Sequence, residues 1–354
     1  MRIGTRDIGP GKPVYVIAEL SANHNQRFDE AVTLVRAAKE AGADAIKLQT
    51  YTADTMTIAS DRPEFLIGEG TLWEGKNLHA LYQEAYTPWE WQPKLKAVAD
   101  ELGMDLFSTP FDASAVDFLE DMGVPAYKIA SFEIVDLPLI EKVARTGKPL
   151  IMSTGMATLA EIEEGVATAR RAGCRDLALL KCTSAYPAPP DEMHLKTIPH
   201  LADTFDVTVG LSDHTLGISV PVAAVALGAC IVEKHFTLSR STPGPDSAFS
   251  LEPRELKEMI GAIRITEHAL GHVHYGVNEK EAASRVFRRS LFVVEDVREG
   301  EIFTERNVRS IRPAHGLAPK HLPDVLGRVA ARDIRRGEPL AWDLVRSDKR
   351  SPDA

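Results

Sequence analysis

Two short segments, Ser212-Asp213-His214-Thr215 and Glu233-Lys234-His235-Phe236, each follow an apolar run and carry an imidazole at the third position. A lone histidine is more often a satisfied core residue than a ligand. Two at the ends of neighbouring strands reach one divalent ion, with oxygen ligands and open positions completing its shell. That pattern favours Mn²⁺ over structural zinc, with Mg²⁺ or Co²⁺ as alternatives. Glu233 shares parity with His235, as a third ligand or a group behind the imidazoles. Side chains alternate along a strand, so Lys47 and Gln49 share one face of their segment while Ile46, Leu48 and Thr50 share the other. If the apolar set packs against helices, the lysine points inward and needs an anion or a carboxylate partner. Further segments end in Thr109, in Lys128 with Ser131 and Glu133, in Ser153, and in Ser184 with Tyr186. Two ammonium groups among several hydroxyls suit a ligand that carries a phosphate and a carboxylate. A lysine at a barrel centre is as often a structural ion pair, so the convergence carries the reading. Asp246, in a Gly244-Pro245-Asp246-Ser247 loop, either binds substrate hydroxyls or closes an Asx turn.

The elements that must position these groups are short β-branched runs. Eight lie at 14–20, 45–50, 105–109, 126–131, 150–154, 177–184, 207–213 and 230–236. Stretches with apolar residues at three- and four-residue spacing lie between most of them, as at 29–41, 88–102, 113–122, 159–172 and 219–227, and several end in Gly. Eight strands alternating with helices over about 250 residues predict a (β/α)₈ TIM barrel, with an open doubly wound sheet as the competitor. A polar and aromatic excursion at 51–88 falls in a βα loop, on the face where barrel sites are built. The pattern changes near Gly271. Residues 1–270 form the expected barrel, 271–287 a linker, and 288–354 a small β-rich module. Its turns Asp296-Val-Arg-Glu-Gly-Glu301 and Asp333-Ile-Arg-Arg-Gly-Glu338 suggest an internal duplication.

The chain has 354 residues, 44% hydrophobic and 26% charged, which excludes disordered and fibrous classes. A formal net charge of −10 argues against nucleic acid or an anionic membrane as the main partner. Three cysteines, Cys174, Cys182 and Cys230, without a CxxC pair, point to a reducing compartment. No run of about 18 apolar residues and no secretory h-region is present, so a soluble cytoplasmic protein is expected.

Motifs in the order Ile17-Ala-Glu, Asn23-His-Asn, Lys47-Leu-Gln-Thr, Ser108-Thr-Pro-Phe-Asp, Tyr127-Lys-Ile-Ala-Ser, Ser153-Thr-Gly-Met, Lys181-Cys-Thr-Ser, Gly210-Leu-Ser-Asp-His-Thr and Glu233-Lys-His-Phe resemble the sialic acid synthase family over nearly the whole chain. The C-terminal module is similar to that family's antifreeze-protein-like (SAF) domain. Stretches at 20–26, 49–57 and 85–91 resemble the pseudaminate-forming branch more than the N-acetylneuraminate or legionaminate branches. The resemblance implies a metal-dependent condensation of phosphoenolpyruvate with an open-chain acetamido sugar and water, which gives a nine-carbon 2-keto acid and phosphate. In the pseudaminate branch the acceptor is 2,4-diacetamido-2,4,6-trideoxy-altrose.

By the same resemblance, Lys47, Thr109, Lys128, Ser131, Ser153, Ser184 and Ser212 match positions that hold phosphoenolpyruvate. Gln49, Glu133, Tyr186 and Asp246 match sugar-contacting positions, and His214 and His235 match the metal ligands. Glu19 is the candidate acid/base. Arg312 matches an arginine that reaches the partner subunit's site in a domain-swapped homodimer. At Ser184 the N-acetylneuraminate branch often carries Asn, which leaves the role of that serine open. Two other readings compete. A Schiff-base aldolase would use Lys128 or Lys181 and no metal. A non-catalytic protein whose C-terminal module binds sugars or ice would leave the lysine and histidine pairs without a purpose.

Overall fold

The computed structural model describes residues 1–68 and 72–349, in two compact units, Met1–Gly271 and a second beginning at His272. Positions 69–71 of the expected excursion and 350–354 of the expected C-terminal module lie outside the described residues.

The first unit is a closed barrel of eight parallel strands: β1 (Tyr15–Glu19), β2 (Ala45–Thr50), β3 (Asp105–Pro110), β4 (Tyr127–Ile129), β5 (Leu150–Ser153), β6 (Leu177–Cys182), β7 (Thr208–Asp213) and β8 (Ile231–His235). They lie in chain order, and β8 closes on β1. The helices are α1 (Phe28–Ala41), α2 (Leu78–Ala85), α3 (Gln92–Glu101), α4 (Ala113–Met122), α5 (Leu137–Arg145), α6 (Leu159–Arg171), α7 (Thr197–Phe205), α8 (Ser219–Ala226) and α9 (Pro253–Leu270); all cover the outer faces except α2, which lines a cavity at the mouth. With helices outside and side chains filling the lumen, the strands are buried on both faces, which is why they read as continuous apolar runs.

Local chemistry sets the helix ends. Asp112 caps α4 by accepting from Ser114 N at 2.7 Å and Ala115 N at 3.1 Å. Gly42 ends α1 at φ +98°, a conformation that favours glycine. Parallel register then brings the polar positions level. Glu19 pairs with Lys47 on one side and His235 on the other, Gln49 with Thr109, and Glu233 with Ser212.

Several boundaries differ from the sequence expectation. The fourth and sixth strands stop at Ile129 and Cys182, so Ser131 and Ser184 sit on the loops beyond them. Just past β4, a 3₁₀ turn at Glu133–Val135 takes over the backbone hydrogen bonding. The helix expected over 88–102 is a 3₁₀ turn, Trp89–Trp91, followed by α3 with Pro93 in its first turn, where a missing N–H costs nothing. A small hairpin, Arg2–Ile3 with Arg6–Asp7, was not anticipated; Ile3 and Ile8 beside it join the buried cluster of Tyr15, Ile17 and Phe107.

Within the second unit, the stretch read as a linker contains a one-turn helix, Glu279–Ala282, and a 3₁₀ segment, Ala283–Phe287. Strand β9 (Ser290–Val293) pairs with β10 (Val308–Ile311), and β11 (Arg328–Ala330) with β12 (Val345–Lys349), all antiparallel. Leu291, Val293, Phe303, Val308, Ile334 and Leu340 are among its core residues. The two repeated turns meet reciprocally. Val297 and Ile334 exchange backbone hydrogen bonds of 2.9 and 2.8 Å. Asp296 accepts from Arg336 N and Asp333 from Glu299 N, both at 2.7 Å. Each copy thus caps the turn of the other, which gives the duplication a packing reason.

Candidate active site

The barrel's polar groups collect at the C-terminal ends of its strands. Glu19, Lys47, Lys128, Glu233, His214 and His235 are all buried. Burying charge is tolerated when it is paired, and these charges interlock. Lys47 Nζ forms an ion pair with Glu19, lies 3.5 Å from Glu233 Oε1 and donates to Thr109 Oγ1 at 3.2 Å. Lys128 Nζ lies 3.8 Å from Glu233 Oε2, and Ser212 Oγ donates to Glu233 Oε1 at 3.2 Å. Glu233 is therefore the shared counter-anion of two ammoniums.

Burial alone would push Glu233 up, but Lys128 and Lys47 outweigh it and hold the carboxyl below its ordinary range. Glu19 goes the other way. Burial raises it, and the nearby Glu233 charge adds to that against the pull of Lys47. Burial opposes the charge on Lys47, yet Glu19 and Glu233 keep its ammonium above the usual value. For Lys128, burial prevails over Glu233 and lowers it. The two carboxyls are thus pushed in opposite directions, Glu233 down and Glu19 up.

The serines expected here fall around this core. Ser131 and Ser184 hydroxyls meet at 2.8 Å. Gly155 makes room for them: at φ +48°, a Cβ there would fall 2.3 Å from Ser131 Cβ and 2.7 Å from Ser184 Oγ. Ser153 Oγ is buried with no hydrogen-bond partner, so it is free to serve a ligand.

At the barrel mouth opens a cavity of about 430 Å³, whose polar lining includes Gln49, Glu133, Tyr186, His235 and Asp246. Burial raises Glu133 to about 7, and its Oε2 has no partner. Segment 51–88 supplies much of the remaining wall, including Tyr51, Met56, Trp73, Leu78 and Tyr82. It is tied across the mouth where Trp73 Nε1 donates to Pro245 O at 3.1 Å.

The imidazoles of His214 and His235 lie with ring centroids 5.4 Å apart, and the Tyr186 ring lies 4.3 Å from His214, tilted by 39°. His214 Nδ1 pairs with Thr183 O at 2.9 Å, which fixes the ring. Against burial, its contact with Cys182 holds His214 above its usual value. Burial drives His235 well below its own, keeping that ring neutral, and its Nδ1 is buried with no partner. A neutral imidazole with an unused lone pair suits a cation. Among the described residues, no group of three or more His, Cys, Asp or Glu side chains is placed to hold an ion. The pair fits a divalent ion only with water or substrate oxygens completing the shell. Glu233, read from the sequence as a third ligand or a group behind the imidazoles, forms no three-residue group with them; its Oε1 meets Lys47 and Ser212, while its Oε2 lies 3.8 Å from Lys128 without a hydrogen bond.

Lys181, the other Schiff-base candidate, donates to Cys182 O at 2.6 Å and Thr183 Oγ1 at 3.2 Å. Cys182 faces His214, so strand alternation turns Lys181 away from the lumen. Arg312 belongs to the C-terminal unit, where it lines a hollow of about 550 Å³ with Arg289, Glu305 and Arg309.

Sequence reasoning missed Ser21. Its N–H donates to Glu19 Oε1 at 2.8 Å, its hydroxyl donates to Asp246, and it receives Gln49 Nε2 at 3.1 Å. Its φ of +43° is uncommon outside glycine, as are Asn25 at +49° and Gln26 at +54° just beyond. A polar cluster directly after a strand end was the one available signal.

Residues 34–275 match the NeuB family and residues 288–346 the SAF domain. The chain is 46% identical over 335 residues to a pseudaminic acid synthase of Helicobacter pylori, covering 94% of this chain and 98% of that one. It is 45% identical over 340 residues to a pseudaminic acid synthase of Campylobacter jejuni, covering 96% and 98%. Among solved structures, the spore coat polysaccharide biosynthesis protein spsE of Bacillus subtilis superimposes with a TM-score of 0.67 at 35% identity, covering 99% of each chain. With its closed barrel, its C-terminal SAF domain and these matches, the chain belongs to the NeuB family.

Proposed function

We propose that this protein is a pseudaminic acid synthase: it condenses phosphoenolpyruvate with 2,4-diacetamido-2,4,6-trideoxy-altrose and water, releasing pseudaminate and phosphate. One observation carries the reading: Gln49, Ser131 and His235, two or three residues beyond Lys47, Lys128 and Glu233 in the chain, line a cavity with a mixed polar and apolar lining, and the Lys47–Glu233–Lys128 cluster is buried behind them. The lysines take the phosphate and carboxylate of phosphoenolpyruvate, with Thr109, Ser131, Ser153, Ser184 and Ser212 as hydroxyl donors. Gln49, Glu133, Tyr186 and Asp246 hold the acceptor above it. C3 of the enol forms the new C–C bond to the sugar's aldehyde carbon, whose oxygen becomes a hydroxyl. Water adds at C2, and the tetrahedral intermediate expels phosphate by C–O cleavage. Glu19, at the end of β1 and bonded to Ser21 and Gln49, transfers the proton. His214 and His235 would hold a divalent ion, Mn²⁺ by preference, and that ion supplies Lewis-acid polarisation of the aldehyde.

No helix among the described residues is long and apolar enough to cross a membrane. We place the enzyme in the cytoplasm, acting as a homodimer in which Arg312 serves the partner's acceptor. The test is phosphate release from phosphoenolpyruvate with a panel of altrose- and mannose-type acetamido sugars, with and without Mn²⁺. Release with the altrose-type diacetamido sugar above all others supports the reading; none with any sugar refutes it. The lowered Lys128 ammonium favours one rival, a Schiff-base aldolase. Borohydride with substrate traps a covalent adduct under that rival and none under the synthase reading.

A further inference from the structure

Each of the two imidazoles is preceded in the chain by a buried charge, and the two charges are of opposite sign. Asp213 ends β7 just before His214, and Lys234 stands on β8 just before its last residue, His235. The parallel register sets Asp213 directly beside Lys234. Strand alternation turns Lys234 to the face opposite His235, and both charged side chains are fully buried there. Lys234 Nζ meets Asp213 Oδ2 at 2.5 Å and also donates to Thr215 O. Asp213 in turn accepts from Thr215 N and from Thr215 Oγ1, each at 3.1 Å. One ammonium therefore holds the residues on both sides of His214, and it comes from the strand whose next residue is His235.

Stability alone does not call for this arrangement. A buried ion pair exchanged for apolar side chains of similar volume often leaves a protein as stable as before, or more so. What apolar packing does not supply is direction. An ammonium shared between a carboxylate and a carbonyl fixes two strand ends against each other within hydrogen-bond tolerance. The imidazole pair needs such a fixture, because no third His, Cys, Asp or Glu among the described residues joins it to constrain an ion. Thr183 O orients His214. His235 Nδ1 has no partner, so the place of that ring is set by β8 beneath it.

We propose that Lys234 and Asp213 are positioning residues for the divalent ion: their ion pair sets the spacing of His214 and His235 at which both rings reach one ion. This rests on the metal reading of the two imidazoles above.

The experiment titrates the protein with Mn²⁺ and counts the free ion by electron paramagnetic resonance, which gives a Kd and a stoichiometry without turnover. The proteins are the unaltered chain, Lys234→Met/Asp213→Leu, Lys234→Met, and Ile140→Ala, a truncation of a buried residue on α5, the helix between β4 and β5. The double variant keeps the net charge. Lys234→Met removes a repelling ammonium, so electrostatics by itself would tighten the ion. A misfolded fraction lowers the number of ions bound, whereas misplaced imidazoles raise the Kd. The Kd is expected to rise about 10- to 100-fold in both Lys234 variants and to hold in Ile140→Ala, while the affinity for phosphoenolpyruvate without metal holds in all. A Kd unchanged in either Lys234 variant, raised as much in Ile140→Ala, or matched by an equal loss of phosphoenolpyruvate affinity overturns the positioning role and leaves the metal reading standing. No Mn²⁺ bound by the unaltered protein overturns the metal reading and the positioning role with it.

Discussion

Replacing Glu233 by Gln keeps the shape of the side chain and removes the negative charge that faces both Lys47, at 3.5 Å, and Lys128, at 3.8 Å. At an effective dielectric of about 20, charges at those separations attract by roughly 4–5 kcal/mol each before desolvation is counted. Breaking a buried ion pair from one side costs about 3–5 kcal/mol, because the other charge stays buried and uncompensated. At roughly 2–4 °C per kcal/mol for a domain of this size, the ligand-free variant should melt about 6–20 °C lower. The same change strengthens anion binding, since two ammoniums now share only Glu19. Inorganic phosphate or phosphoenolpyruvate should therefore raise the melting temperature of Glu233→Gln by more than it raises that of the unaltered protein. The pH dependence has a definite sign. The folded value of Glu233 lies below its ordinary one, so its stabilisation is present above the ordinary carboxylate range and is lost as pH falls through the folded value. The variant should lack that acid-side loss. Thermal unfolding across pH, with and without phosphate, reads all three effects. A variant as stable as the parent, with an unchanged response to phosphate, refutes the charge-balance argument.

Further predictions address the groups around this cluster. Ser21→Ala removes the hydroxyl that joins Gln49 to Asp246, so the acceptor KM should rise about 5- to 100-fold, as for a lost buried hydrogen bond, while the KM for phosphoenolpyruvate holds; a rise in the latter instead contradicts the assignment. His235→Ala should abolish turnover and Mn²⁺ binding measured by calorimetry, and EDTA should reversibly stop the unaltered enzyme; full activity after rigorous chelation rules out the ion. Behind the imidazoles, Lys234 and Asp213 form a fully buried ion pair that also holds Thr215. Lys234→Met should cost about 3–5 kcal/mol in denaturant unfolding, and the charge-free Lys234→Met/Asp213→Leu should recover most of it; a single variant of parental stability counts against the pair's role.

The barrel was legible because its strands are buried on both faces and so stand out from the helices as unbroken apolar runs. The inward direction of Lys47 and Gln49 was legible for a related reason: strand parity is set by covalent geometry. What parity leaves open is which neighbour an inward group meets across the lumen. Glu233 shares a face with His235, as the spacing says, but barrel curvature delivers it to the lysines. Ser21 was hidden because its importance lies in a backbone angle that residue type does not announce. The inward stripe of α2 has the spacing of any core helix; only the fold shows that it faces a cavity. Asp296 and Asp333 were recognisable as a repeat, yet their reciprocal capping needs both copies in place.

The most direct test of the central claim uses phosphoenolpyruvate labelled with ¹⁸O in the oxygen that bridges C2 and phosphorus. In the proposed reaction Lys47 and Lys128 hold the anion while water adds at C2 and the C–O bond breaks, so the label is predicted to leave entirely in inorganic phosphate. Label retained in the nine-carbon product, or no phosphate released with the diacetamido sugar, contradicts it.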